Sequence, residues 1–200
     1  MGDTPPAPEH EGESAGEGFA RLVSLACHDL RTPLATVNGV AKMLARQAGL
    51  PEREARLAAM ADAAAEEMAS LLDRLGLAAR IAAGRYEPHR RDADTRALAS
   101  AADERITVAG DGELVSTDVD AVSVALADLA RAALRHGGLS RVTWTVKGAT
   151  LVLTPVVEQA APVLEGSSPR ELGPLVARMV IEALGGSVAL EGEALRVELA

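Results

Sequence analysis

His28-Asp29-Leu30-Arg31-Thr32-Pro33-Leu34 brings a histidine, an acid, a hydroxyl and a proline into one short stretch of a helical pattern. That pattern extends in both directions. Phe19, Val23, Ala26, Leu30, Leu34, Val37, Ala41, Leu44 and Ala48 recur at steps of three and four, a heptad seam with an extra four-residue step beside Pro33. Proline lacks a backbone donor, so a bend is expected there. Gly49-Leu50-Pro51 supplies a stop and a restart. A second helix over about 52–83 carries Leu57, Met60, Ala64, Met68, Leu71, Leu75, Ala78 and Ala82 with the same period. Two such helices joined by a short turn form an antiparallel hairpin. Val40, Ala61, Leu72 and Ile81 lie off the main stripe and suggest a second contact surface. A lone hairpin cannot bury two faces. A homodimeric four-helix bundle is therefore expected, the alternative being that this face packs on the rest of the chain.

Composition narrows the function classes. The 200 residues suit one medium or two small domains. Hydrophobic residues make up 48% while aromatics make up only 2%, and an Ala- and Leu-rich chain of this kind favours helix. A net charge of −9 argues against nucleic acid as a partner, because binding there needs a Lys/Arg surface. The single Cys27 excludes an internal disulfide framework and fits a cytoplasmic location. No apolar run approaches the roughly 20 residues that span a bilayer. No basic-then-apolar leader opens the chain, so neither a membrane anchor nor a sensor is expected. Residues 1–18 carry Gly, Pro and the acids Asp3, Glu9, Glu11, Glu13 and Glu17, the composition of a tail that cannot bury enough surface to order itself.

After the hairpin (19–83), residues 84–94 read as a polar linker and 95–200 as a second domain. A short helix near 94–103 precedes strands near 105–108 and 113–117 and a helix from about 119 to 135. Strands at 141–146 and 150–154, a helix over about 170–184 ending at Gly185-Gly186, and strands at 187–191 and 194–199 follow. One layer of strands and one of helices make an α/β two-layer sandwich.

His28 falls between Ala26 and Leu30 of the stripe, so it is expected off the buried seam and open to solvent, with Thr32 one turn later on the same face. Neutral imidazole is a good nucleophile near pH 7. Attack on phosphorus needs its second nitrogen oriented and its growing charge balanced, which a neighbouring carboxylate can do. An isolated histidine on a helix is ordinary surface. The whole string on a helical hairpin resembles the dimerisation and phosphoacceptor domain of two-component histidine kinases. That resemblance implies that His28 is the phosphoacceptor, Asp29 the acid that activates it, Thr32 the residue used in phosphatase chemistry and Pro33 the kink. Arg31, with Arg21, is a weaker candidate for stabilising a transferring phosphoryl group.

The resemblance continues after residue 18 through nearly the whole chain, and the second domain is similar to the kinase ATPase domain in degenerate form. The family's N box reads Asn-Leu-Leu-x-Asn-Ala-x-Lys/Arg-His; here it reads Asp128-Leu129-Ala130-Arg131-Ala132-Ala133-Leu134-Arg135-His136. Ala132 stands where the magnesium-holding Asn belongs and offers a hard cation no oxygen. Leu153-Thr154-Pro155-Val156-Val157 lacks the acid and glycines of the adenine motif. Only Leu172-Gly173 remains of the phosphate-cradling glycines, and Glu171 beside it puts negative charge where phosphates should sit. Residues 158–169 are short for an ATP lid. His89 and His136 have no ligand neighbours at metal-binding spacing.

The resemblance therefore implies a histidine phosphotransferase. His28 would accept a phosphoryl group from a response-regulator receiver aspartate and donate it to another, without ATP. No cofactor is expected on this chain, Mg²⁺ being supplied in the receiver's site. The alternatives are a pseudokinase adaptor or phosphatase, including one that forms mixed dimers with an active histidine kinase, and a divergent ATP-dependent kinase.

Overall fold

A computed structural model of the protein describes residues 15–168 and 170–200. Most of the expected acidic tail lies outside the described residues, but its last residues are helical. Helix α1 spans Ala15–Ala45 and runs through Pro33 without a break in assignment. Gly49, at φ 83°, turns the chain, and α2 spans Glu52–Ala82. Glu52 and Glu54 in its first turn and Arg80 in its last complement the helix dipole.

The expected hairpin is present, but its seam coincides only in part with the stripe read from the sequence. Ala20, Cys27 and Ala41 of α1 are buried against Ala58, Ala65, Gly76 and Ala79 of α2. Small residues let the two helices approach closely; a Cβ built on Gly76 would lie 3.8 Å from that of Cys27. The stripe read from the sequence as the seam is largely the outer face. Phe19 is 67% exposed, and Leu30, Val37 and Leu44 are exposed with it, as are Leu57, Met60, Met68, Leu71 and Leu75 of α2. Of the residues expected on the second surface, Leu72 and Ile81 are half-buried, whereas Val40 and Ala61 are exposed.

Residues 90–94, expected to be linker, form strand β1 (Arg90–Asp94), which pairs antiparallel with β3 (Leu114–Asp118). The connection is thus shorter than the sequence suggested. Between these strands lie α3 (Thr95–Leu98), capped by Asp94 accepting from the Arg96 and Ala97 amides, and β2 (Ile106–Gly112). Then come α4 (Val119–Gly137), β4 (Val142–Gly148), β5 (Thr150–Thr154), α5 (Ala161–Leu164), α6 (Leu172–Ala183), β6 (Ser187–Glu191) and β7 (Ala194–Glu198). A five-stranded sheet has the order β2-β4-β5-β7-β6, with β2 and β4 parallel and the other pairs antiparallel. Strand alternation points Val142, Trp144, Val146, Leu151, Leu153, Leu195 and Val197 into one core. Onto it pack Val122, Leu126, Leu129 and Ala133 of α4 and Val176, Val180 and Ile181 of α6. This is the expected two-layer α/β arrangement.

Asp118 starts α4 by accepting from the Ala121 amide. Gly138 ends it at φ 60°, a left-handed cap that favours glycine. The C-terminal end of α2 joins the second domain: Leu77, Ala78 and Ile81, with Tyr86 from the connection, pack against its core. No helix among the described residues is long and apolar enough to cross a membrane.

Trp144, the chain's one tryptophan, is fully buried at the centre of the sheet. Its Nε1 has no hydrogen-bond partner, so packing rather than polarity holds it. Trp144→Ala is expected to cost about 3–5 kcal/mol and Trp144→Phe distinctly less, because Phe refills most of the space and removes the unpaired donor. Urea unfolding followed by far-ultraviolet circular dichroism reads both; equal losses would show that the indole nitrogen matters more than ring volume.

Candidate functional site

Helix α1 turns Cys27 inward and His28 outward. Cys27 is 2% exposed, whereas the His28 side chain is 78% exposed. The imidazole is held from one side only. His28 Nδ1 lies 3.3 Å from Asp29 Oδ1, the carboxylate itself being exposed. Nδ1 faces the acid, and Nε2 lies on the other edge of the exposed ring. Thr32 follows one turn later on the exposed surface, and its carbonyl accepts from the Thr36 hydroxyl at 3.4 Å. His28, Arg31, Thr32, Ala35 and Thr36 line one shallow depression on α1. The structure thus brings the four sequence-derived candidates, His28, Asp29, Arg31 and Thr32, to one open patch.

Arg31 is not free in that patch. Its Nη2 donates to Asp73 of α2 at 2.6 Å. Asp73 therefore stands behind the candidate site, and nothing in its sequence context distinguished it from other helix-surface acids. The next residue of α2, Arg74, reaches the other way, into the second domain. Its Nε and Nη2 donate to Asp128 Oδ2 and Oδ1 at 2.6 and 2.7 Å, and its Nη1 donates to Ser70 Oγ at 2.5 Å. The hydrogen bond to Asp128 holds the guanidinium above its ordinary pKa, outweighing the opposing effect of burial.

Asp128 is the first position of the degenerate N box, and it is 6% exposed. Ala132, at the second, is wholly buried in the core. Gly173 packs so closely on Asp128 that a Cβ there would lie 3.0 Å from Oδ2. Glu171, just before α6, accepts from Arg135 Nη1 at 3.0 Å, and its second oxygen lies 2.8 Å from His136 Nε2. The carboxylates at this end of the domain are thus engaged by the chain's own cations. Ala132 offers a cation no oxygen, and Glu171 adds a carboxylate already paired with Arg135 and close to His136.

A larger cleft of about 640 Å³ opens between α2 and the α4/α6 layer, with Leu77, Val124, Val176 and Val180 on its walls and Arg31 and Arg80 at its rim. Tyr86 lines it too. Burial, then the hydrogen bond its hydroxyl donates to Asp118 at 2.9 Å, pushes the phenol well above its ordinary pKa. Asp118 is pushed up by burial, but the Ala121 amide, the Tyr86 hydroxyl and the His89 amide together hold it below the usual carboxylate range.

Residues 20–84 match the family described as the His Kinase A (phospho-acceptor) domain. No curated protein matches the chain. Among solved structures, full-length ShkA, crystallised in complex with AMPPNP, is similar over 89% of this chain at 19% identity with a TM-score of 0.62. The chain spans 44% of ShkA. The Acinetobacter baumannii histidine kinase AdeS is similar over 86% of this chain and 97% of its own at 17% identity, with a TM-score of 0.54. The hairpin over residues 20–84 thus matches the His Kinase A (phospho-acceptor) domain, and the chain, hairpin and following mixed α/β sheet domain together, shares its fold with ShkA and the histidine kinase AdeS.

Proposed function

We propose that the chain is a histidine phosphotransferase of a two-component relay, passing phosphoryl groups between receiver aspartates through His28 without using ATP. The observation that carries this reading is a contrast within the molecule. The imidazole and its acid stand open at the surface, while the residues at the degenerate nucleotide end are paired with one another. An aspartyl phosphate already holds the energy that transfer requires, so a nucleotide has no task here.

His28 Nε2 attacks the phosphorus of a receiver's aspartyl phosphate. The N–P bond forms as the acyl O–P bond breaks, and the electron pair leaves on the receiver's carboxylate, beside the Mg²⁺ of the receiver's own site. Asp29 accepts the Nδ1 proton in a hydrogen bond and balances the charge the ring gains. The reverse step hands the group to a second receiver. In this reading Arg31, drawn from Asp73, meets the phosphoryl oxygens, and the Thr32 hydroxyl orients water in a phosphatase reaction. Cytoplasmic residence belongs to this reading, the one cysteine being a buried free thiol.

Homodimerisation completes it. The exposed Leu30, Val37, Leu44, Leu57, Leu71 and Leu75 form an apolar surface of the kind a second hairpin covers in a four-helix bundle, and each fully buried side chain is worth about 1.5–3 kcal/mol.

Incubation with a panel of radiolabelled phosphoreceiver domains is expected to label the wild type and leave His28→Ala blank, with Asp29→Asn slowing transfer by about 10²-fold or more. Receiver phosphate lost without label on the chain would replace this reading with a phosphatase, and no effect on any receiver with an adaptor. Val37→Glu and Leu71→Glu are each expected to convert a dimer into a monomer by light scattering. A monomeric wild type, or dimers that survive both changes, would remove the bundle.

A further inference from the structure

The cleft at this end of the second domain is small, about 240 Å³, and its walls are shared by α2, α4 and the N-terminal end of α6. It contains a largely buried ion pair between the two halves of the chain. The Arg74 side chain is 19% exposed and that of Asp128 7%. The pair is bidentate, the geometry that best matches guanidinium to carboxylate. Arg131 lies 3.6 Å from the same carboxylate, so Asp128 sits between two cations. Gly173 closes over it from α6. Below this contact, Leu77, Ala78 and Ile81 of α2 are packed into the core of the second domain.

We infer that this cleft is the seam along which α2 is docked on the second domain rather than a ligand site, and that Arg74 on Asp128 is the latch that fixes the second domain against the hairpin at the level of His28. Two arguments lead there. A polyanion entering the cleft would face the Asp128 and Glu171 carboxylates and would have to strip Arg74, Arg135 and His136 from them. Opening the cleft would leave Asp128 buried against Gly173 without its bidentate partner, and breaking such a pair is strongly unfavourable. The level follows from the register of the hairpin. Arg74 adjoins Asp73, which holds Arg31 of the His28 segment. Consecutive helix residues point about 100° apart, so one reaches α1 and the other reaches α4. The second domain is therefore a fixed wall on the α2 side of His28, and a partner must approach from the α1 side, where the depression beside His28 is open.

Hydrogen exchange on the full-length chain tests this. Arg74→Asp and Asp128→Arg are each expected to raise exchange across residues 67–81 and 172–176 on the order of tenfold or more. The swap Arg74→Asp/Asp128→Arg is expected to return much of the protection. Addition of millimolar Mg-ATP to the wild type is expected to leave residues 128–136 and 172–176 unchanged. Where circular dichroism shows that a charge reversal has unfolded the chain, Arg74→Met, which keeps the aliphatic stem, takes its place and is expected to show the same increase. Single variants that exchange like the wild type, a swap no better protected than either single change, or protection by Mg-ATP would each overturn the latch. Phosphotransfer is not read in this experiment, so the latch stands or falls apart from the activity of His28.

Discussion

Ala20, Cys27 and Ala41 packed on Ala58, Ala65, Gly76 and Ala79 leave no room between α1 and α2 for anything large. This close seam governs the rest of the hairpin. Because the helices meet through small groups, most bulky apolar side chains of the heptad pattern are turned outward, with Val23 and Leu34 half-buried, and Phe19, Leu30, Val37, Leu57 and Leu71 wait for another surface. A seam of leucines would have made a self-sufficient hairpin. A seam of alanines makes one whose main apolar surface is still uncovered. The same close approach brings Arg31 within reach of Asp73 and Lys42 within 3.0 Å of Glu66.

The second domain separates two things that share one scaffold in a nucleotide-binding protein. Its core is intact: Trp144, Leu151, Leu153 and Leu195 from the sheet meet Leu126, Leu129 and Ile181 from the helices, all nearly inaccessible. Core residues are chosen for shape and apolarity, and none needs a ligand. Residues at the cleft are chosen for what they bind. Once Asp128 has Arg74 and Glu171 has Arg135 and His136, the cleft is satisfied internally and the core is undisturbed. The core is thus held by shape and the cleft by its own ion pairs, each independently of the other.

Much of this was legible in the sequence, and the failures have physical causes. The two helices followed from three- and four-residue periodicity, and the strands from β-branched runs such as Val142–Val146 and Leu151–Thr154. The seam of the hairpin was read only in part because alanine and leucine count alike as apolar, while close packing treats them oppositely. Strand β1 was hidden because Arg90-Arg91-Asp92 is polar on both faces; only its pairing with β3 makes it a strand. His28, Asp29, Arg31 and Thr32 were visible together because a helix places them together. Arg74 and Asp73 were not. An arginine on a helix carries no mark of a carboxylate 54 residues away, and that partnership exists only once the two domains have met.

Cys27 and His28 are neighbours in the chain, yet one is dry and the other wet. A helix turns by about 100° per residue, so a slip of α1 by a single residue against α2 would carry the imidazole into the alanine seam and bring the thiol to the surface. The ion pairs from Arg31 to Asp73 and from Lys42 to Glu66 act against that slip, one on each side of Pro33. Where the backbone has given up a hydrogen bond, side chains set the phase of the screw, and the phase decides which of two nucleophiles the outside world can touch.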